Sequence, residues 1–276
     1  MKDNNPVKDW LNEIIYRLSR PYILVLALIF TLIPSGKLTE ALESGAEFLK
    51  IDTDAKAVAM GSAYTAIASG IDAIHYNPSG MAALNRVEAG FSHTNWLLGS
   101  SHDFIGIAMP VSQGIGDRVE GRVKNTGMVM GLGFTRLTNG AMEGRASDRG
   151  RTGGFNAYDQ SIALGAAKNF GHYALGGSVK YIQSAIAGSR ASAFAVDIGA
   201  GRKLTGLPVY AAHNFMPGFA LRTGYMMNAT AGSVATCAGG FSAGVGLYFL
   251  NTGLDYSMSP FGELGNVQKL SVKKKF

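Results

Sequence analysis

Few residues of this chain stand at spacings that do chemistry. Gly240-Phe241-Ser242-Ala243-Gly244 fits the G-x-S-x-G pattern of a nucleophile elbow. That chemistry needs a strand–turn–helix context and a histidine after the serine. The last histidine, His213, precedes Ser242, and the residues after the match continue as strand. A chain with 37 glycines produces such matches by chance. The five histidines, His75, His93, His102, His172 and His213, form no H-E-x-x-H. His93 and His102 could meet across a first hairpin, as a solvated or inward-facing pair rather than a metal site. Asp52 and Asp54 resemble the start of a calcium loop, but the glycine and glutamate that must follow are missing. Cys237 is the only cysteine, which excludes an internal disulfide and a cysteine-based zinc site. No dinucleotide-binding G-x-G-x-x-G and no P-loop is present. The expectation is a non-enzymatic protein with no catalytic, metal or cofactor-binding residue.

Composition points to the surroundings instead. Charged residues make up 16% of the chain, where soluble domains carry about a quarter. Such a deficit suits a protein whose outer surface faces lipid. Glycine is abundant without a period of three and proline is scarce, which excludes collagen and disorder. The net charge of +6 gathers at the amino terminus, around 118–124, around 145–151 and at 273–275. No aromatic residues interleave the clusters at 118–124, 145–151 and 273–275, so nucleic acid is not expected as a partner. Anionic headgroups or solvated loops fit them better.

Residues 21–34 are apolar but hold only about a dozen such positions, short of the roughly 20 a membrane helix needs. Lys2, Lys8, Arg17 and Arg20 precede them, and Thr39-Glu40-Ala41 follows with small residues in alternation. This is the layout of a secretory signal peptide over 1–41, the alternative being an uncleaved inner-membrane anchor.

From residue 86 onward the pattern is period-two alternation. Candidate strands are 87–96, 102–110, 126–137, 158–170, 173–186, 191–203, 219–228, 239–250, 252–259 and 267–276. The Pro-marked 207–215 is an eleventh strand or a remnant. In the third, Met128, Met130, Leu132 and Phe134 share one face and Gly131, Gly133 and Thr135 the other. Only Gly171-His172 separates the fourth from the fifth, a tight hairpin. Residues 113–124 and 138–156 read as loops. Tyr and Phe near strand ends, such as Tyr158, Phe170, Tyr173 and Phe249, fit aromatic girdles or plain β-propensity equally.

One stretch breaks the pattern. In 55–84, Ala, Met and Val recur at helical spacing up to Ala68, predicting one helix or two, broken at Gly61. Helix stops at Tyr76-Asn77-Pro78-Ser79-Gly80, because Pro78 pushes Asn77 out of the α region.

Here the residues resemble a known family. The run 45–51, GAEFLKI, then AKAVAMG at 55–61, Ala63-Tyr64-Thr65-Ala66 and Tyr76-Asn77-Pro78-Ser79-Gly80 are similar to the amino-terminal signature of the PorV/PorQ family. That family belongs to the FadL-like group of outer-membrane barrels. The run 254–265, LDYSMSPFGELG, resembles the family's last hairpin. The match covers roughly 45–205 and 217–276, and the chain is short of several strands between about 206 and 218.

The resemblance implies an all-β transmembrane antiparallel β-barrel. The family has fourteen strands; ten to twelve are expected here, over 86–276. Residues 42–85 would form a short N-terminal helical plug, with Tyr64, Tyr76, Asn77, Pro78 and Gly80 as its wall or ligand contacts. Phe276 would serve the barrel-assembly machinery of the outer membrane. Lys274, on its face, weakens that signal. The implied role is type IX-type protein secretion or surface attachment, with secreted client proteins and outer-membrane lipid as partners. The alternative is FadL-like transport of long-chain fatty acids or other hydrophobic small molecules. A soluble β-rich protein remains a third reading.

Overall fold

A computed structural model of the protein describes residues 46–111, 118–119, 122–123, 127–140, 142–145, 147, 150–202, 212–216, 218–226, 240–261 and 265–276. The chain divides into Met1–Gly45 and Ala46–Phe276. The expected export signal over 1–41 lies outside the described residues, as do Cys237 and residues 207–211.

The alternating segments form strands, as their β-branched and aromatic residues favour. They are β1 Glu88–Asn95, β2 Ser101–Val111, β3 Arg118–Val119, β4 Arg122–Val123, β5 Met128–Thr138, β6 Met142–Arg145, β7 Arg151–Phe155 and β8 Ala157–Phe170. There follow β9 Tyr173–Ile186, β10 Ser189–Arg202, β11 Ala212–Met216, β12 Phe219–Met226, β13 Gly240–Phe249, β14 Thr252–Pro260 and β15 Asn266–Lys275. Eleven of them make one antiparallel sheet, in the order β10-β9-β8-β5-β2-β1-β15-β14-β13-β12-β11. The first strand pairs with the last, from Glu88↔Lys275 to Asn95↔Gln268. The edges are β10 and β11. With ten antiparallel steps between them, the two edges run in the same direction.

Expectation and structure part in three places. The loops expected over 113–124 and 138–156 contain small hairpins, β3–β4 and β6–β7. Ion pairs from Glu143 to Arg145 (3.3 Å) and Arg151 pin the second, so charged side chains do there what apolar alternation does elsewhere. The doubtful strand is real but short, Ala212–Met216. The described sheet therefore counts eleven strands, within the ten to twelve expected. The helices are also shorter than expected. α1 spans Ala55–Ala59 and ends because Gly61 and Ser62 both take φ 63°, a left-handed turn no helix continues through. α2 is one turn, Ala73–Tyr76, and Pro78–Ala83 is a 3-10 segment rather than a simple turn.

Residues 46–84 lie on one face of the sheet, called here the covered face. Ile71, Ile74 and Met81 meet Phe104, Ala108, Val129, Ala163 and Ala167 in the main apolar cluster. Glycines make the close approach possible. A Cβ at Gly106 would come within 2.7 Å of Ile71, one at Gly131 within 2.7 Å of Met81, and one at Gly165 within 2.8 Å of Met81. The other face is bare. Phe91, Ile105, Ile107, Leu132, Ile162, Leu164, Leu175, Val179, Phe241, Leu254 and Leu270 stand exposed on it. No helix among the described residues is long and apolar enough to cross a membrane, which says nothing about strands.

Candidate functional site

The sequence-selected turn docks on the β8–β10 side of the covered face. Tyr64 is buried and meets Tyr76 edge-on, centroids 5.1 Å apart. The Tyr76 hydroxyl accepts from the backbone N–H of Thr53 (2.9 Å) and Asp54 (3.2 Å), tying α2 to the entry of α1. Asn77 is extended and caps the next segment: its Oδ1 accepts from Ser79 N–H at 3.2 Å and Ser79 Oγ–H at 2.8 Å. Its amide donates to Ala200 O on β10 at 3.3 Å. Pro78 is buried at the first position of the 3-10 segment, where its missing N–H costs nothing. The strands receive this turn through glycines: a Cβ at Gly176 would lie 2.5 Å from the Pro78 backbone, and one at Gly199 2.1 Å from Asn77 Oδ1. Gly80 has the same reason to be glycine, since a Cβ there would stand 2.0 Å from Ala68 O. Tyr64 and Tyr76 pack on each other, Pro78 is buried against β9, and Asn77 and Gly80 also border a cavity with Asn169 and Arg202.

The stronger feature was not singled out from sequence. On the β14–β15 side, Lys273 Nζ pairs with Asp54 (2.6 Å) and with Asp72. Arg222 pairs with Asp255 at 2.7 Å and donates to the Tyr248 hydroxyl at 2.6 Å, which donates to Asp255 at 3.0 Å. Lys56 reaches the other Asp255 oxygen at 3.5 Å. Three cations thus face three carboxylates, all buried or nearly so. Backbone contacts complete the join: Ala55 N–H donates to Ser271 Oγ (2.9 Å), Ser92 Oγ–H to Thr53 O, and Ile71 N–H to Glu88 (2.9 Å). One signal could have found this site. Lys269, Ser271 and Lys273 alternate with apolar Leu270 and Val272 along β15, so the last strand sends its cations to the small-residue face.

Burial and charge set the protonation states of the 46–84 segment. Burial works to raise the Asp54 carboxyl, but Lys273 and Lys56 outweigh it and hold it at about 2. Burial would lower the Lys56 ammonium, yet Asp54 and Asp255 push it up instead. Burial raises both Tyr64 and Tyr76, so their hydroxyls stay protonated. It also raises Asp52, against Lys269 and the Ser62 hydroxyl bond. His75 is held at about 3 by burial and then by Lys180 and Lys269, and is neutral.

The remaining candidates separate. His93 and His102 do not meet: the register pairs His93 with Asp103 and His102 with Thr94, so they occupy opposite faces. His93 bonds Asp103 at 2.6 Å on the bare face, while His102 is fully buried. Ser242 lies within β13, buried, donating to Gly224 O at 3.3 Å, not on a strand–turn–helix elbow. No three His, Cys, Asp or Glu cluster as metal ligands among the described residues. Phe276 donates its N–H to Val87 O at 2.9 Å, and Lys274 sits over its ring.

No family model matches the chain, and no curated protein sequence matches it. Solved structures of outer-membrane β-barrels show a distant likeness. The translocator domain of autotransporter NalP from Neisseria meningitidis is 16% identical, covers 71% of this chain and 90% of its own, and gives a TM-score of 0.26. Outer membrane phospholipase A from Escherichia coli is 11% identical over 68% of this chain and 95% of its own, at 0.25. The Salmonella typhi phospholipase dimer with bound calcium is 10% identical over 68% and 89%, at 0.23. Likeness this distant assigns neither family nor activity. What the chain itself presents is a mostly β protein with a large antiparallel sheet.

Proposed function

We propose that the chain is a non-enzymatic outer-membrane β-barrel protein whose residues 46–84 plug the interior. One observation carries this: the sheet is inverted. Its bare face exposes apolar side chains, while its covered face buries Glu88, His102, Lys180, Arg222, Asp255, Lys269 and Lys273. Water-soluble sheets place charge outward, and lipid-facing strands alternate apolar-out with polar-in. Eleven antiparallel strands, first paired with last, suit a wall that needs one further strand to reach an even count.

The specific role follows the PorV/PorQ resemblance: holding or handing on exported proteins at the cell surface. The cavities bordering the covered face are lined by Lys56, Glu88 and Lys273, by Asp52 and Lys269, or by Asn77, Asn169 and Arg202. Val58, Trp96, Phe261 and Val267 line the second of these cavities as well, so FadL-like transport of a hydrophobic molecule stands as the second reading. Envelope fractionation with a heat-modifiability gel tests the location. The protein should enter the outer-membrane fraction and shift mobility on boiling. Recovery in the aqueous phase without a shift contradicts the proposal. For the role, exported proteins should co-purify with the chain, and labelled fatty-acid uptake should survive its deletion; the reverse pair of results would favour transport.

A further inference from the structure

On the bare face, Lys274 on β15, Ala89 on β1, Ile107 on β2 and Leu132 on β5 lie in one register row. The next row runs through Phe91 and Ile105. Ala89 is the small member among long neighbours, so its place is a depression. A groove of about 570 Å³ opens there, walled by Phe91, Ile107 and Leu132, and Lys274 is the one charged residue that borders it. Lys274 is exposed, its ammonium 5.8 Å from the centroid of the Phe276 ring. No carboxylate among the described residues pairs with it. Glu88, one register step away, is turned to the covered face and paired with Lys275 at 3.5 Å. A lysine here can lay its stem along the apolar wall and still offer its ammonium to an anionic headgroup.

We propose that this groove seats one acyl chain of an anionic glycerophospholipid, with the lipid phosphate on Lys274. The proposal rests on the reading of the bare face as lipid-facing. The same end of the sheet has the make-up of a headgroup level. β8, β10 and β15 run in the same direction, and each carries a cation over an aromatic ring near its end: Lys168 over Phe170, Arg202 over Tyr173, Lys274 over Phe276. Asp103, an acid of the bare face, lies at the opposite end, held by His93. The charge also selects the lipid. One cation matches the single phosphate of a glycerophospholipid; the two phosphates of a lipid A would need a second cation, and none borders the groove. Lys168 is four strands from β15, roughly 19 Å at the usual strand spacing, and cannot serve as one.

Native mass spectrometry of the detergent-solubilised full chain, with phosphatidylglycerol as the probe, should show one retained lipid. Lys274→Gln should weaken its binding about fivefold, the share of one lysine near an anionic surface. Ala89→Leu fills the groove without changing charge and should weaken it too. Lys168→Gln, outside the groove, should leave it unchanged. Heat-modifiable mobility checks that each variant is folded. If Ala89→Leu does not fold, Lys274→Gln and Lys168→Gln decide. Equal weakening by those two means diffuse attraction and overturns the site, as does retention of lipid A in preference to phosphatidylglycerol. Protein that needs detergent yet retains no lipid overturns this inference alone. Protein that stays in solution without detergent overturns the lipid-facing reading with it.

Discussion

The two faces of the sheet follow opposite rules. On the covered face, charge is buried but matched: Lys273 sits between Asp54 and Asp72, and Asp255 collects Arg222, Lys56 and Tyr248. On the bare face, apolar side chains stand in the open, Leu164 54% and Ile105 55% exposed. In water each face would be costly. Set in lipid, the bare face loses its cost, and the covered face becomes the protein's specific, position-fixing interior. Ion pairs across more than 200 residues fix where the 46–84 segment sits.

The comparison breaks most easily at Lys273. Removing one member of a buried pair costs about 3–5 kcal/mol, because the partner stays buried and charged. Lys273→Met should therefore lower denaturant stability by that much. A loss near that of an exposed pair, about 0–1 kcal/mol, would mean the face is wet. The bare face gives the complementary test. Leu132→Lys, near the middle of β5, should cost about 2–4 kcal/mol in a bilayer. In a soluble protein the same exposed substitution would be nearly neutral. Lys274→Leu, at a strand end, should change stability by about 0–1 kcal/mol. Next comes the glycine-lined dock. Gly176→Val forces a side chain into the Pro78 backbone and should cost about 1–3 kcal/mol, with Asn77→Ala costing about 0.5–2.

The pH dependence sharpens the covered face further. His75 is held at about 3 in the fold, against 6.5 when unfolded. A depressed folded value means the unfolded chain binds the proton first, so stability is intact above about 6.5 and falls as pH drops towards 3. Asp54 adds a second loss over the lower window, from 3.8 down to about 2. His75→Gln should flatten the upper limb of a stability–pH curve and leave the lower one.

Much of the sheet was legible. Alternation in β2, β5 and β9 assigns both strand and face, since a period of two admits one division. The break at Gly61 and the end of the helix before Pro78 were legible because those residue types restrict the backbone directly. The ionic interior was not. Lys273 and Asp54 are 219 positions apart, and which charges meet depends on the register of the whole sheet. His93 and His102 failed for the same reason: one step of register decides whether two residues share a face. The hairpins β3–β4 and β6–β7 carry charge where alternation was sought.

The central claim is that the bare face meets lipid. Spin labels on single cysteines in a Cys237→Ser background, reconstituted in liposomes, test it directly at Ile107, Leu132 and Leu164. High collision with oxygen and little with a water-soluble nickel chelate is the predicted result at all three. Free access of the nickel chelate to these positions would contradict the account.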